Sequence, residues 1–159
     1  MKITWFGHSC FRIDTGASSI LIDPFLSGNP TFEASGLKVY GAIKGVTHVA
    51  LTHGHEDHIG AVPFFAADLG VPLYATPFTA ALIKGKLDEQ GIANEVDLNI
   101  VPMEGQINLG PFDIRFVPLA HSILEMSALV IDTPYGKVFH TGDWKLDETP
   151  VIGTPASAE

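Results

Sequence analysis

The segment Leu51-Thr-His-Gly-His-Glu-Asp-His-Ile-Gly60 follows directly on the apolar run Val46 to Leu51 and sets three histidines and two carboxylates within six residues. That density of ligand-type side chains is hard to reconcile with packing alone. On extended chain leaving a strand, His53 and His55 are two positions apart and point to the same side. The chain should then turn into a helix, Ile59 to Leu69, whose first turn can aim Asp57 and His58 at a second point nearby. One short turn therefore offers ligands to two divalent ions. Imidazole and carboxylate without thiolate suit zinc, manganese or iron, and the residues do not choose among them; two divalent ions, zinc foremost, are the expectation. An H-x-H pair is common by chance, whereas H-x-H-x-D-H between an apolar strand and an apolar helix is specific.

The surrounding pattern is that of an α/β domain. Short β-rich runs at Lys2 to Phe6, Cys10 to Asp14 and Ser19 to Asp23 are separated by turn residues and predict hairpins. Residues 24–38 read as a long loop. Strand Thr47 to Thr52 leads into the histidine cluster, and Pro63 is tolerable only near the start of the helix that follows. A strand at Pro72 to Ala75 precedes a helix that opens on Thr76-Pro77 and ends near Gln90 before Gly91. Further strands are expected at Glu95 to Val101, Phe112 to Pro118, Met126 to Asp132 and Lys137 to Thr141. The order predicts a mixed sheet with helices on one face and its other face uncovered. One domain over residues 1–150 and a tail over 151–159 are expected.

Of the 159 residues, 46% are hydrophobic and 17% charged, enough apolar material for a folded core. With 18 acidic against 9 basic side chains the net charge is −9, which argues against a pure nucleic-acid-binding module. The single cysteine, Cys10, sits in a strand pattern and is expected in the core. No run has the form of a signal peptide or a membrane span, so a cytoplasmic location is the default.

Two further positions stand at strand ends: His121 in Pro118-Leu-Ala-His-Ser-Ile123, and Asp143 in Phe139-His-Thr-Gly-Asp-Trp144. Each alone could cap a loop. Combined with the histidine cluster they read as metal ligands.

With these pieces in place the sequence resembles the metallo-β-lactamase superfamily, and two branches of it. Met1-Lys-Ile-Thr-Trp-Phe-Gly-His-Ser-Cys10 and Ile20-Leu-Ile-Asp-Pro-Phe-Leu-Ser-Gly-Asn-Pro30 are similar to small metal-dependent hydrolases of that superfamily. From about residue 51 to 153 the chain resembles the N-terminal part of bacterial ribonuclease J. The motifs are His53-Gly-His-Glu-Asp-His-Ile-Gly-Ala, Tyr74-Ala-Thr-Pro-Phe-Thr-Ala-Ala-Leu-Ile, Leu119-Ala-His-Ser-Ile and Phe139-His-Thr-Gly-Asp-Trp-Lys-Leu-Asp.

The resemblance implies His53, His55 and His121 on one ion, Asp57 and His58 on the other, and Asp143 bridging both. It makes Asp23 a buried acid that orients the site without coordinating. His8 and His140, next to ligand loops, are expected to be outer-sphere or structural, and His48 an ordinary edge histidine. It also implies half of an αββα sandwich, with the second half missing and the second site short of a histidine. The expected activity is hydrolysis by a metal-activated water, with Asp57 orienting or deprotonating that water, on a small ester, lactone or phosphodiester, RNA included. The alternative is a truncated or chimeric metal-binding half-fold with little or no catalysis. An uncovered sheet face would favour a homodimer.

Overall fold

Strand β3 (Ser19–Ile22) is buried at every position, and its sequence shows why: Leu21 enters one apolar layer while Ile20 and Ile22 enter another. A strand that is apolar on both faces belongs inside a layered sandwich. The computed structural model, which describes residues 1–145 and 147–152, has β3 at the centre of such a stack.

The sheet containing it has six strands in chain order: β1 (Lys2–Gly7), β2 (Cys10–Asp14), β3, β4 (His48–Ala50), β5 (Leu73–Ala75) and β6 (Leu98–Ile100). The first three are antiparallel and the last three join on in parallel, so the sheet is mixed as expected. Helix α1 (Pro30–Ala34) lies within the stretch expected to be loop, and α2 (Val39–Ile43) follows directly on it. Asn29 caps α1, its side-chain oxygen accepting from the backbone of Thr31 and Phe32, a signal that Asn29-Pro30 carried in the sequence.

The helix expected from Ile59 is two helices, α3 (Glu56–Ile59) and α4 (Val62–Leu69). Pro63 falls in the first turn of α4, where its missing N–H costs nothing. Helix α5 (Pro77–Glu89) forms where Thr76-Pro77 predicted it. Val62, Phe65 and Ala66 of α4 and Ala80, Ile83 and Leu87 of α5 bury against Leu21, Val49, Leu51 and Leu73, which places helices on one face of the sheet.

The later strands do not extend that sheet. β7 (Gln106–Leu109), a strand the sequence reading had passed over, joins β8 (Phe112–Pro118), β9 (Ser127–Thr133) and β10 (Gly136–His140) in a separate antiparallel sheet, ordered β10-β9-β8-β7. Phe112, Ile114 and Phe116 of β8, with Leu129 and Ile131 of β9, close over Ile13, Ile20, Ile22 and Ala50. The face predicted to be uncovered is therefore covered from within the chain, and the ground for expecting a homodimer through it falls away. The outer face of the four-stranded sheet carries Arg115, Asp132 and Lys137 among its exposed side chains, with Lys137 paired to Asp132. No helix among the described residues covers that side, so the layers present are half of an αββα arrangement plus its second sheet. Among those residues no helix is long and apolar enough to cross a membrane.

Cys10 is fully buried, and burial pushes its thiol well above the ordinary cysteine range, which keeps it an inert core residue. Residues 153–159, most of the expected tail, lie outside the described residues. Phe116→Ala should lower stability by about 3–5 kcal/mol in urea unfolding, because its ring is buried between the two sheets. A loss below about 1 kcal/mol would mean that the sheets do not pack as described.

Candidate metal centre

The strand ends of both sheets converge at one end of the sandwich, and the ligand-type residues sit there. Asp23 follows β3, Thr52 to His58 follow β4, His121 follows β8, Asp143 follows β10, and His8 occupies the β1–β2 turn. Crevices beyond the carboxyl ends of strands are where open α/β sheets place their sites. The two sheets are tied there by the Ser127 N–H, which donates to the Thr52 carbonyl at 3.0 Å.

Asp23 is 1% exposed and holds a left-handed backbone with φ 44°. One carboxylate oxygen accepts from the Thr52 N–H at 2.8 Å, the other from the Thr52 hydroxyl at 2.6 Å. Since that hydroxyl spends its only proton on Asp23, it can only accept from His53 Nδ1, 3.0 Å away. His53 is thereby protonated at Nδ1 and presents the lone pair of Nε2. The second Asp23 oxygen also lies 2.9 Å from His58 Nδ1, which turns His58 Nε2 outward in the same way. A carboxylate behind a histidine is the usual support for an imidazole that binds metal.

His53 Nε2 lies 3.1 Å from His55 Nδ1, and His121 Nε2 lies 3.3 Å from the same atom. A tetrahedral ion with bonds of about 2.0–2.1 Å separates its ligand atoms by about 3.3 Å, so these spacings fit a tetrahedral divalent ion. Burial pushes His53 down to about 4, helped by the neighbouring His58, and burial with His55 nearby lowers His121. Both are therefore neutral near pH 7, the form that coordinates.

A second set adjoins the first, the His53 and His58 rings being 3.9 Å apart. His8, Asp57, His58 and Asp143 each offer an atom, all within 4.8 Å of one another. His58 is fully buried, and its Nε2 faces Asp143 at 3.4 Å and Asp57 at 4.0 Å. Burial opposes a charge on His58, but Asp23, with Asp143 and Asp57, overcomes it and raises its pKa. Asp143 is lowered in spite of burial, because the Ser9 hydroxyl donates to it at 2.7 Å and His58 is close. A buried imidazole nitrogen facing two carboxylates is a donor set for a cation.

The family model of the metallo-beta-lactamase superfamily matches residues 3–153. The chain belongs to this superfamily. It is 42% identical over 161 residues to ribonuclease J of Helicobacter pylori, an alignment covering 94% of this chain and 23% of that protein. It is also 38% identical over 166 residues to a UPF0173 metal-dependent hydrolase of Chelativorans sp., covering 100% of this chain and 68% of that one. The ribonuclease J likeness thus reaches well into the front of the chain, where the motifs alone had pointed to the small hydrolases. Among solved structures, the diiron β-hydroxylase CmlA of Streptomyces venezuelae superposes with TM-score 0.66 at 18% identity, covering 91% of this chain and 30% of that one. At that identity the likeness shows the fold alone, since a hydroxylase and a hydrolase can share it.

Within this superfamily chain, the predicted ligands His53, His55 and His121 come together as one set, and Asp57, His58 and Asp143 as the other. His8 joins the second set directly. His140 belongs to neither set: it is buried, donating from Nε2 to the Ser9 carbonyl at 2.9 Å and accepting at Nδ1 from the Gly142 N–H. His48 opens β4, a central strand of the six-stranded sheet, half-buried against the Thr47 hydroxyl and opposite Ile20 of β3, so it is not the edge histidine that was expected. Gly142, at φ +56°, has Met126 and Thr52 where a Cβ would go, so only glycine lets the chain turn Asp143 into the site. Sequence reasoning missed Thr52, Ser9 and Glu125. The first two adjoin ligands in their own motifs. Glu125 accepts from the Phe78 N–H at the start of α5 at 2.7 Å and so anchors the His121 loop.

Asp23→Asn should weaken zinc binding about 10–100-fold in chelator competition, as loss of a carboxylate behind ligand histidines does. Acidification should empty the two sets in order. The lowered pKa of His53 makes protons weak competitors at the three-histidine set, while the raised pKa of His58 makes them strong ones at the other. Zinc should therefore leave the His58 set first as pH falls from 8 to 5, read by metal content after gel filtration; simultaneous loss would contradict the assignment.

Proposed function

We propose that this chain hydrolyses phosphodiesters with two divalent ions, zinc before manganese or iron, held by the two donor sets. The observation that supports this most directly is the contact between a three-imidazole set and a carboxylate-rich set across the His53 and His58 rings. Ions bound there supply positive charge and a water of lowered pKa. The set of His53, His55 and His121 contains no carboxylate, so an ion held there would keep its charge available to an anionic substrate. Asp57, half-exposed at the mouth of the site, orients the attacking water and takes its proton on a carboxylate oxygen. Asp143, fixed as an anion by Ser9, holds its place beside His58.

A phosphodiester, RNA among them, is preferred over an ester or lactone because of the 42% identity to ribonuclease J. The chain spans only 23% of that protein, so its substrate and partners are carried over as part of the proposal. The rival reading is a metal-binding chain without turnover.

Bis-p-nitrophenyl phosphate decides between them. Metal-dependent turnover, abolished by chelator and restored by zinc or manganese, is the expected result, and Asp57→Asn should lower it about 10²–10⁴-fold. Turnover of p-nitrophenyl acetate without the phosphodiester would shift the substrate to esters. Tight metal binding with neither activity would reject the enzyme.

A further inference from the structure

We infer that His8, in the turn between the first two strands, is a ligand of the second ion through Nε2, beside Asp57, His58 and Asp143. The inference rests on the two-ion reading above and concerns how the second set is completed.

Three observations carry it. His8 Nε2 lies 3.1 Å from Asp57 Oδ2, and its ring meets the His58 ring edge-on at 5.3 Å, so its nitrogen points into the space that Asp57, His58 and Asp143 already share. His58 Nε2, on a fully buried side chain, opens onto that same space with Asp143 at 3.4 Å and Asp57 at 4.0 Å, so the nitrogens of both histidines and the two carboxylates face one point. The turn that carries His8 is also fixed to the site. Its next residue, Ser9, donates to Asp143, and the Ser9 carbonyl accepts from His140.

The backbone agrees. His8 takes φ 52°, its carbonyl held at 2.8 Å by the Trp5 indole N–H. Gly7 before it, at φ +102°, packs so closely on α1 that a Cβ would sit 2.5 Å from Thr31 Cβ. The turn therefore cannot slide along the helix, and the imidazole is aimed by the fold. An exposed histidine–carboxylate pair is worth little by itself. With His8 the second set becomes two imidazoles and two carboxylates, a donor set that suits zinc, manganese or iron and matches the charge of one divalent ion.

The test compares wild type, His8→Ala and His8→Gln, each loaded with zinc, gel-filtered and analysed for metal per chain, with isothermal titration for affinity. Circular dichroism checks the fold. Wild type should hold two ions. Both variants should keep one at unchanged affinity and hold the second at least tenfold more weakly. His8→Gln retains a hydrogen-bond donor for Asp57, so two ions at wild-type affinity in that variant, or in His8→Ala, would overturn the inference while leaving the two-ion reading intact. One ion in wild type would overturn both. Cobalt substitution gives a second readout: the absorption bands of the second ion, and not those of the first, should change in the variants.

Discussion

The arrangement hangs on one buried carboxylate. Asp23 accepts from both the backbone and the hydroxyl of Thr52 and lies against His58, so a single side chain fixes the tautomer of one histidine and the direction of another. A buried anion is tolerable only when it is fully partnered. Here the partners are the parts that point donor atoms at the two sets. The left-handed backbone at Asp23 is compensated by the same bonds. Replacing this hub would leave the imidazoles present but unaimed, which is why its effect should appear in metal affinity before it appears in the fold.

Much of the site was legible because its chemistry is local. The spacing of His53, His55, Asp57 and His58 fixes their relative directions within one turn, and strand-end positions marked His121 and Asp143. The partners behind them were harder to see. Thr52 and Ser9 are ordinary residues in composition, and they matter through bonds to Asp23 and Asp143, 29 and 134 positions away. The fold divides the same way. Helices α4 and α5 follow from Pro63, Thr76-Pro77 and an apolar stripe. That the last four strands form their own sheet does not, because alternation tells which face a residue takes and says nothing of which strand lies beside it. The covered inner face, with Phe112 and Phe116 against Ile20 and Ile22, is the correction with most consequence.

The two donor sets are unlike in charge, and that gives them different tasks. The first set contains no carboxylate and the second contains two, so an ion on the first would keep its positive charge while one on the second would be largely offset. In a protein whose net charge is −9, an anionic ligand would then be drawn to the three-histidine side of the centre.

The bond between Ser9 and Asp143 spans nearly the whole described chain. Donors drawn from position 8 and from position 143 cannot meet until the strand before Asp143 has been made and has docked. During synthesis, then, the emerging polypeptide can offer a passing ion only the local histidine cluster. The complete centre forms as one of the last events in assembly, and long-range closure of this kind belongs among the slow steps of folding.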